Sequence, residues 1–374
     1  MSLYDAHTAD LANLAARGRQ RKLVARLGRD FSSNDYLGLA ASGLLEDSAR
    51  EALDRGTPIG SGGSRLLRGN HPEHVALETE AATFFGAESA LFFSSGYAAN
   101  TALLSTLPQR GDLIVHDALV HASAHEGIRL SRAAARSAMH NDPDAFDAAI
   151  RAWRREGNMG RVWIAVESVY SMDGDRAPLE AFALLARAHD AILLIDEAHA
   201  TGVFGPDGRG LAAGLAGRSD VITLHTCGKA LGSEGALLCG PEIVRDFLVS
   251  RGRAFIYSTA PSPLIAAVVR AGLHALSQHP EYRHELSALV DYAQDALGPY
   301  GVSRSGSQIL PLILGDDAHT MRVAAALQDA GFDVRGIRPP TVPDGTARLR
   351  ISITRNVAAD DIDALAAALG RALS

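Results

Sequence analysis

The chain has 374 residues, of which 47% are hydrophobic and 21% charged, the make-up of a soluble globular protein longer than one core ordinarily serves. A formal net charge of −7 offers no general attraction to a phosphate backbone, so nucleic acid is not an expected partner. Cys227 and Cys239 make neither a CxxC pair nor a disulfide framework, the start lacks the pattern of a signal peptide, and no apolar stretch is long enough to span a membrane; the expectation is a cytoplasmic protein without membrane contact.

In chain order, the pattern predicts a helix from about 11 to 26, then the irregular loops "RDFSSNDYLGLA" and "GSGGSRLLRGN". A regular alternation follows: helix 73–85, strand 90–93, helix 97–107, strand 112–116, helix 119–131, strand 135–139, helix 143–155, strand "RVWIAVES", helix 178–189 and strand "AILLID". "DVITLHT" and "GALLCG" add two strands, giving seven. Short apolar strands between amphipathic helices indicate an α/β fold with a mainly parallel sheet covered on both faces, whose ligands bind at the carboxyl ends of the strands. A helical stretch at 262–298, strand "ILPLIL", helix 318–330, strand "RLRISIT" and a last helix from Asp360 read as a smaller α+β domain. The expected divisions are 1–45 as an N-terminal segment, 46–262 as the large domain and 263–374 as the small one.

Of 36 basic Lys and Arg side chains only Lys22 and Lys229 are lysines. A wholesale replacement of lysine by arginine explains the deficit but not the position of the exceptions. Lys22 lies in the basic run "RGRQRK" and reads as a solvated surface residue. Lys229, in "HTCGKALGSEGA", stands between a strand and a glycine-rich turn, where an amine can act as a nucleophile and form a Schiff base with an aldehyde. About thirty residues earlier Asp196 ends a buried strand in "DEAHATGVFG"; an unpaired carboxylate there is costly, and a pyridinium nitrogen would be a partner for it. Together these point to pyridoxal phosphate, with His199 within reach of the phenolate oxygen. Asp196 also fits a plain salt-bridged strand end.

"DEAH" is equally a helicase signature, but no GxxxxGK[ST] loop accompanies it, and "GSGGSR" lacks both the third glycine and the preceding strand of a dinucleotide fingerprint. Phosphate is better placed in "FFSSGYAAN", a strand leading into a helix whose first amides, Gly96 and Tyr97, face outward. Thr226 and the hydroxyls of "YSTAP" would complete the cup, with Ser258 and Thr259 contributed across a dimer. His121, opening a helix, is a candidate to stack on the cofactor ring. His125 follows at i+4, but Arg129 stands where HExxH requires histidine, so no metal is expected and His116, His125 and His140 read as structural. Arg348 and Arg350 share one face of a strand, and either suits a substrate carboxylate or an ordinary salt bridge.

In order from about residue 30 to 355, "FSSNDYLGL", "GSGGSRLLRGN", "SSGYAAN", "HASAHEG", "ESVYSMDGDRAPL", "DEAHATGVFG", "HTCGKALGSEGA" and "RPPTVPDGTARLR" resemble the α-oxoamine synthases, fold-type-I pyridoxal phosphate enzymes, most closely their biotin-pathway branch. The resemblance implies that Lys229 holds the cofactor, Asp196 pairs its ring nitrogen and His121 stacks on the ring. His199 and Ser171 would serve the phenolate side, and Gly96, Tyr97 and Thr226 the phosphate. Asn34, Thr341 and Arg350 would face substrate, with Arg350 the leading carboxylate ligand; Arg21, with Arg19 as the alternative, matches the N-terminal substrate arginine. Arg65 and Arg68 are candidates for coenzyme A phosphates. The implied reaction joins an amino acid to an acyl thioester with loss of carbon dioxide, in a homodimer with a shared active site. L-alanine with pimeloyl-CoA or its carrier-protein equivalent is the expected pair, and glycine with another acyl thioester is the alternative.

Overall fold

Why the apolar runs form a sheet is visible in their burial: in β-type runs such as Leu113–Asp117 and Val162–Glu167 every residue is covered, which only a strand with helices on both faces achieves. A computed structural model describes residues 2–374. The chain begins with α1 (Asp5–Ala16) and β1 (Arg29–Asp30), then enters α2 (Gly43–Asp54) and α3 (Pro72–Phe85). Alternation follows through β2 (Ser89–Phe93), α4 (Gly96–Thr106), β3 (Leu113–Asp117), α5 (Ala122–Leu130), β4 (Ala134–Ala138), α6 (Pro143–Arg155), β5 (Val162–Glu167), α7 (Leu179–Ala188) and β6 (Ile192–Asp196). Then come β7 (Val221–Thr226), β8 (Ala236–Gly240), α8 (Glu242–Arg251), α9 (Arg253–Ile256), α10 (Pro263–Gln278) and α11 (Pro280–Leu297). The chain closes with β9 (Ile309–Gly315), α12 (Asp317–Asp329), β10 (Phe332–Asp333), β11 (Arg335–Ile337), β12 (Ala347–Ser352) and α13 (Ala359–Leu373).

Two compact units result. The larger comprises Leu37–Ser171 and Asp175–His284; the smaller takes the residues through Tyr36, Met172–Gly174 and Glu285–Ser374. Beside the expected divisions at 45 and 262, the larger unit thus begins at Leu37 and runs to His284, because α10 packs on α2 and α3.

The larger unit holds a seven-stranded sheet in the order β2-β8-β7-β6-β5-β3-β4, with β8 antiparallel to both neighbours and the rest parallel. The α/β expectation is borne out. One face packs Leu103, Leu104, Ile114, Trp163, Leu194 and Leu224; the other packs Val115, Phe146, Ile150, Ile164, Phe182 and Leu193. Each such side chain contributes about 1.5–3 kcal/mol on burial, so the sheet is a firm platform for its loops. In the smaller unit β11-β12-β9 form an antiparallel sheet and β1 pairs in parallel with β10.

Local departures have local causes. The helix expected at 11–26 is α1, displaced toward the N-terminus: Gly18 takes φ +65 just beyond its end, and no residue of the helix is buried to extend it. The single helix expected at 262–298 is two, because Pro280 offers no amide hydrogen and His279 before it adopts φ −124, ψ 63.

Candidate active site

In the parallel part of the larger unit's sheet, β3, β5, β6 and β7 end on one edge, and β2, antiparallel to β8, ends there too. The residues that follow those ends are where chemistry-bearing side chains collect. Glu167 and Asp196 are the last residues of β5 and β6 and are register partners; Thr226 ends β7, and His121 caps α5 after β3.

Lys229 lies in a turn tied at both ends: Cys227 N–H donates to Gly235 O at 2.9 Å, and Gly232 N–H donates to Lys229 O at 2.9 Å. Gly232 makes this turn possible, since at φ +64 a Cβ would stand 2.6 Å from Ala40 N and Leu39 C. The lysine is half-buried, and its Nζ lies 2.9 Å from Nε2 of the buried His199.

Asp196 is half-buried; its Oδ1 accepts from Ala198 N–H at 2.9 Å and its Oδ2 from Asn100 Nδ2 at 2.7 Å. Asn100 also donates to Ser123 Oγ at 3.0 Å, and Ser123 Oγ lies 2.8 Å from His121 Nδ1. Burial pulls the His121 pKa down, Asp196 pulls it up and Lys229 pulls it down, leaving it below its ordinary value. Glu167 is buried beside Asp196 with Oε1 lacking a hydrogen bond, and burial and the Asp196 charge push its carboxyl well above the ordinary carboxylate range. Asn100, Ser123 and Glu167 were not picked out from the sequence: one sits mid-helix in an alanine-rich run, and the others lie in motifs whose neighbouring residues drew the attention.

At the start of α4 Ser95 caps the helix, its Oγ accepting from Ala98 N–H at 3.1 Å. Among the described residues the amides of Gly96 and Tyr97 have no acceptor within the chain, and Thr226 Oγ1 lies 3.7 Å from where a Gly96 Cβ would stand. That leaves two N–H groups at one helix N-terminus, an arrangement suited to an anion, with the Thr226 hydroxyl nearby donating to Gly235 O at 3.3 Å. Ser258 is half-buried and Thr259 exposed. Ser171 lies in the loop after β5, which folds back through Tyr170 N–H to Asp175 O at 3.0 Å and Ala177 N–H to Ser168 O at 3.1 Å.

In the smaller unit Arg350 is buried on β12, with Nη2 donating to Asn34 Oδ1 at 3.0 Å and Nη1 to Ser352 Oγ at 2.6 Å. Arg348 is paired with Asp173 in a salt bridge. Arg19 is paired with Asp317 at 2.9 Å and Asp344 at 3.2 Å, whereas Arg21 donates to Thr341 Oγ1 at 3.1 Å. Both arginines line a cavity of about 660 Å³ with Leu11, Leu14 and Thr341.

Elsewhere in the larger unit, of the two coenzyme A candidates, Arg65 grips Glu78 through two bonds of 2.8 and 2.9 Å and Arg68 is exposed. His116 and His125 stack edge to face with ring centres 5.2 Å apart. Cys227 and Cys239 are free and buried, with thiol pKa values driven up by burial, consistent with packing residues.

The family model for aminotransferase class I and II matches residues 29–369. The chain belongs to this family. Its curated relatives include the 8-amino-7-oxononanoate synthase of Mycolicibacterium smegmatis, 43% identical over 93% of this chain and 91% of the relative. That of Marinobacter nauticus is 40% identical over 96% and 91%. Solved structures that resemble this family member include a serine palmitoyltransferase from S. paucimobilis with bound PLP–myriocin aldimine, at TM-score 0.88 and 26% identity over 100% of this chain and 98% of that one. An 8-amino-7-oxononanoate synthase from Francisella tularensis matches at TM-score 0.78 and 27% identity over 92% and 98%. The resemblance and the fold type inferred from the motifs are thereby borne out.

Proposed function

We propose that this chain uses pyridoxal 5'-phosphate to condense L-alanine with pimeloyl-CoA, or pimeloyl carrier protein, giving 8-amino-7-oxononanoate, carbon dioxide and free thiol in biotin biosynthesis. The observation that carries the reading is Lys229 against His199, with the charges of Lys229 and Asp196 both acting on His121, in a chain 40–43% identical to enzymes of that name over more than nine-tenths of its length.

The donor set fits the cofactor part by part. Lys229 has the amine for its aldehyde, Asp196 the carboxylate for its ring nitrogen, and His199 with Ser171 the donors for its phenolate oxygen. Gly96, Tyr97 and Thr226 supply the phosphate end. His121 would stack on the ring. When bound, the cofactor supplies a conjugated cationic ring that accepts the electron pair left at the substrate α-carbon.

The chain's own residues do the rest. Asp196, its two oxygens held by Asn100 and Ala198, keeps a proton at the ring nitrogen. Lys229, released as a free amine, takes the α-proton of alanine. The α-carbon then bonds to the thioester carbonyl carbon and the thiolate leaves, taking a proton. The former alanine carboxylate departs as carbon dioxide, its electron pair returns to the α-carbon, and a proton delivered there completes the amino ketone. Arg350 holds the alanine carboxylate through its planar fork, with Asn34 fixing the guanidinium and Thr341 alongside. Arg21 is the N-terminal substrate arginine, since Arg19 is committed to two aspartates.

The active form is a cytoplasmic homodimer in which Ser258 and Thr259 of each protomer complete the phosphate site of the other. The deciding experiment supplies purified, cofactor-loaded protein with pimeloyl-CoA and either L-alanine, glycine or L-serine, and identifies the product by mass spectrometry. Turnover with L-alanine yielding 8-amino-7-oxononanoate is expected; exclusive use of glycine or L-serine would replace the reading with a sibling synthase.

A further inference from the structure

Asn100 on α4 and Ser123 on α5 are both buried, and neither touches the reacting atoms in the reading above. Asn100 Nδ2 has two hydrogens, and each has an acceptor: Asp196 Oδ2 at 2.7 Å and Ser123 Oγ at 3.0 Å. Ser123 Oγ therefore receives a hydrogen bond, and its own hydrogen is left for His121 Nδ1, 2.8 Å away. The Ser123 backbone N–H points at the same nitrogen from 3.2 Å. A ring nitrogen that receives two donors carries no hydrogen, so the hydrogen of the neutral imidazole sits on Nε2.

We propose that Asn100 and Ser123 are positioning residues that lock His121 in the neutral Nε2–H tautomer and fix its orientation to the Asp196 carboxylate. The inference rests on the reading of His121 as the histidine that faces the cofactor ring. An imidazolium would need an acceptor at Nδ1, where a backbone N–H already points; the Ser123 hydroxyl would have to turn, and its hydrogen would compete with that of Asn100. The surroundings agree. Burial and Lys229 disfavour a charged His121, Asp196 favours it, and His125 lies near enough to feel its charge. Glu167, which accepts from the His121 backbone N–H, has its carboxyl pushed well above the ordinary range by burial and by Asp196, which weakens it as a counter-charge, and His116 packs against His125. His121 is thereby a fixed hydrogen-bond donor through Nε2 across neutral pH, rather than an acid that gives up its proton.

The test is a long-range proton–nitrogen correlation spectrum of protein labelled with 15N-histidine, in apo and cofactor-loaded forms, for wild type, Ser123→Ala and Asn100→Ala; the His121→Asn spectrum assigns the signal. Far-UV circular dichroism checks that each variant folds. The wild type is expected to show the Nε2–H pattern and to titrate below the ordinary histidine value. Both variants should mix the tautomers and raise the midpoint by about half to one pH unit, the equivalent of one lost neutral hydrogen bond. In turnover the acid limb of kcat should move up by the same amount, while KM for the thioester changes by less than about threefold. An Nδ1–H pattern in the wild type, or a tautomer and midpoint unchanged in both variants, would overturn the proposal. Because the tautomer is read in the apoprotein, a chain that shows the Nε2–H pattern and makes no amino ketone refutes the proposed reaction while leaving the lock in place.

Discussion

His140 is expected to be a charged strut whose loss is felt first in stability. Its Nδ1 lies 2.9 Å from Asp117 Oδ1 and its Nε2 2.8 Å from Asp175 Oδ2, with Asn141 donating to both aspartates. Asp117 is wholly buried and the His140 side chain is 26% exposed. The two aspartates outweigh burial and push the His140 pKa from its ordinary 6.5 up to about 10. A histidine raised in the folded state stabilises fully below its unfolded value, and the benefit is lost as pH rises through the folded value. At about 1.36 kcal/mol per pH unit, the span from 6.5 to about 10 amounts to roughly 5 kcal/mol, and solvent at the ring lowers the expected loss to about 3 kcal/mol. The lowered Asp117 carboxyl describes the same contact and is not added. The perturbation is His140→Gln, read by urea unfolding of the apoprotein at neutral pH and near pH 10. The variant should lose about 3 kcal/mol at neutral pH, as when one partner of a buried ion pair is removed, and should show a flatter dependence on rising pH than wild type. A neutral-pH loss below about 1 kcal/mol, or the same pH slope in both proteins, would refute the charged-strut argument.

Lys229→Ala should fold and retain pyridoxal phosphate only non-covalently, so that dialysis strips the visible absorption band; measurable turnover in this variant would sink the mechanism. Glu167→Gln replaces a buried carboxyl whose pKa is raised with a neutral group of the same shape, so turnover should stay within about threefold of wild type. A carboxyl whose folded pKa lies above its ordinary 4.5 costs stability as pH rises past that value, so the same variant should melt higher than wild type at neutral pH, read by differential scanning calorimetry. Arg350→Lys keeps the charge and loses the planar fork held by Asn34 and Ser352, so KM for L-alanine should rise about tenfold or more with a smaller change in kcat; steady-state kinetics showing an unchanged KM would remove Arg350 from the substrate site.

The contrast between Lys229 and Asn100 shows what a sequence can reveal about such a site. Lys229 stood out because arginine fills nearly every other basic position, and Asp196 because a carboxylate at the end of an apolar strand demands a partner; both signals are local and visible in a few residues. The strands were equally legible, since burial on both faces writes itself as a continuous apolar run. The two- and three-residue strands β1, β10 and β11 carry no period, and α2 buries only Leu45 and Ala52. Asn100 belongs to a further class. Nothing near it in sequence distinguishes it from an asparagine on a solvated helix face. Its meaning comes from Ser123 and Asp196, 23 and 96 residues away, which meet it only when α4, α5 and β6 are brought to one edge of the sheet. The same holds for Glu167, whose pKa is raised by its burial and then by Asp196 on the neighbouring strand. Groups that perform chemistry directly must have the right functional group and are visible as residue types. Groups that set the protonation of others act through distance and hydrogen-bond direction, and those become readable only when the register of the strands is known.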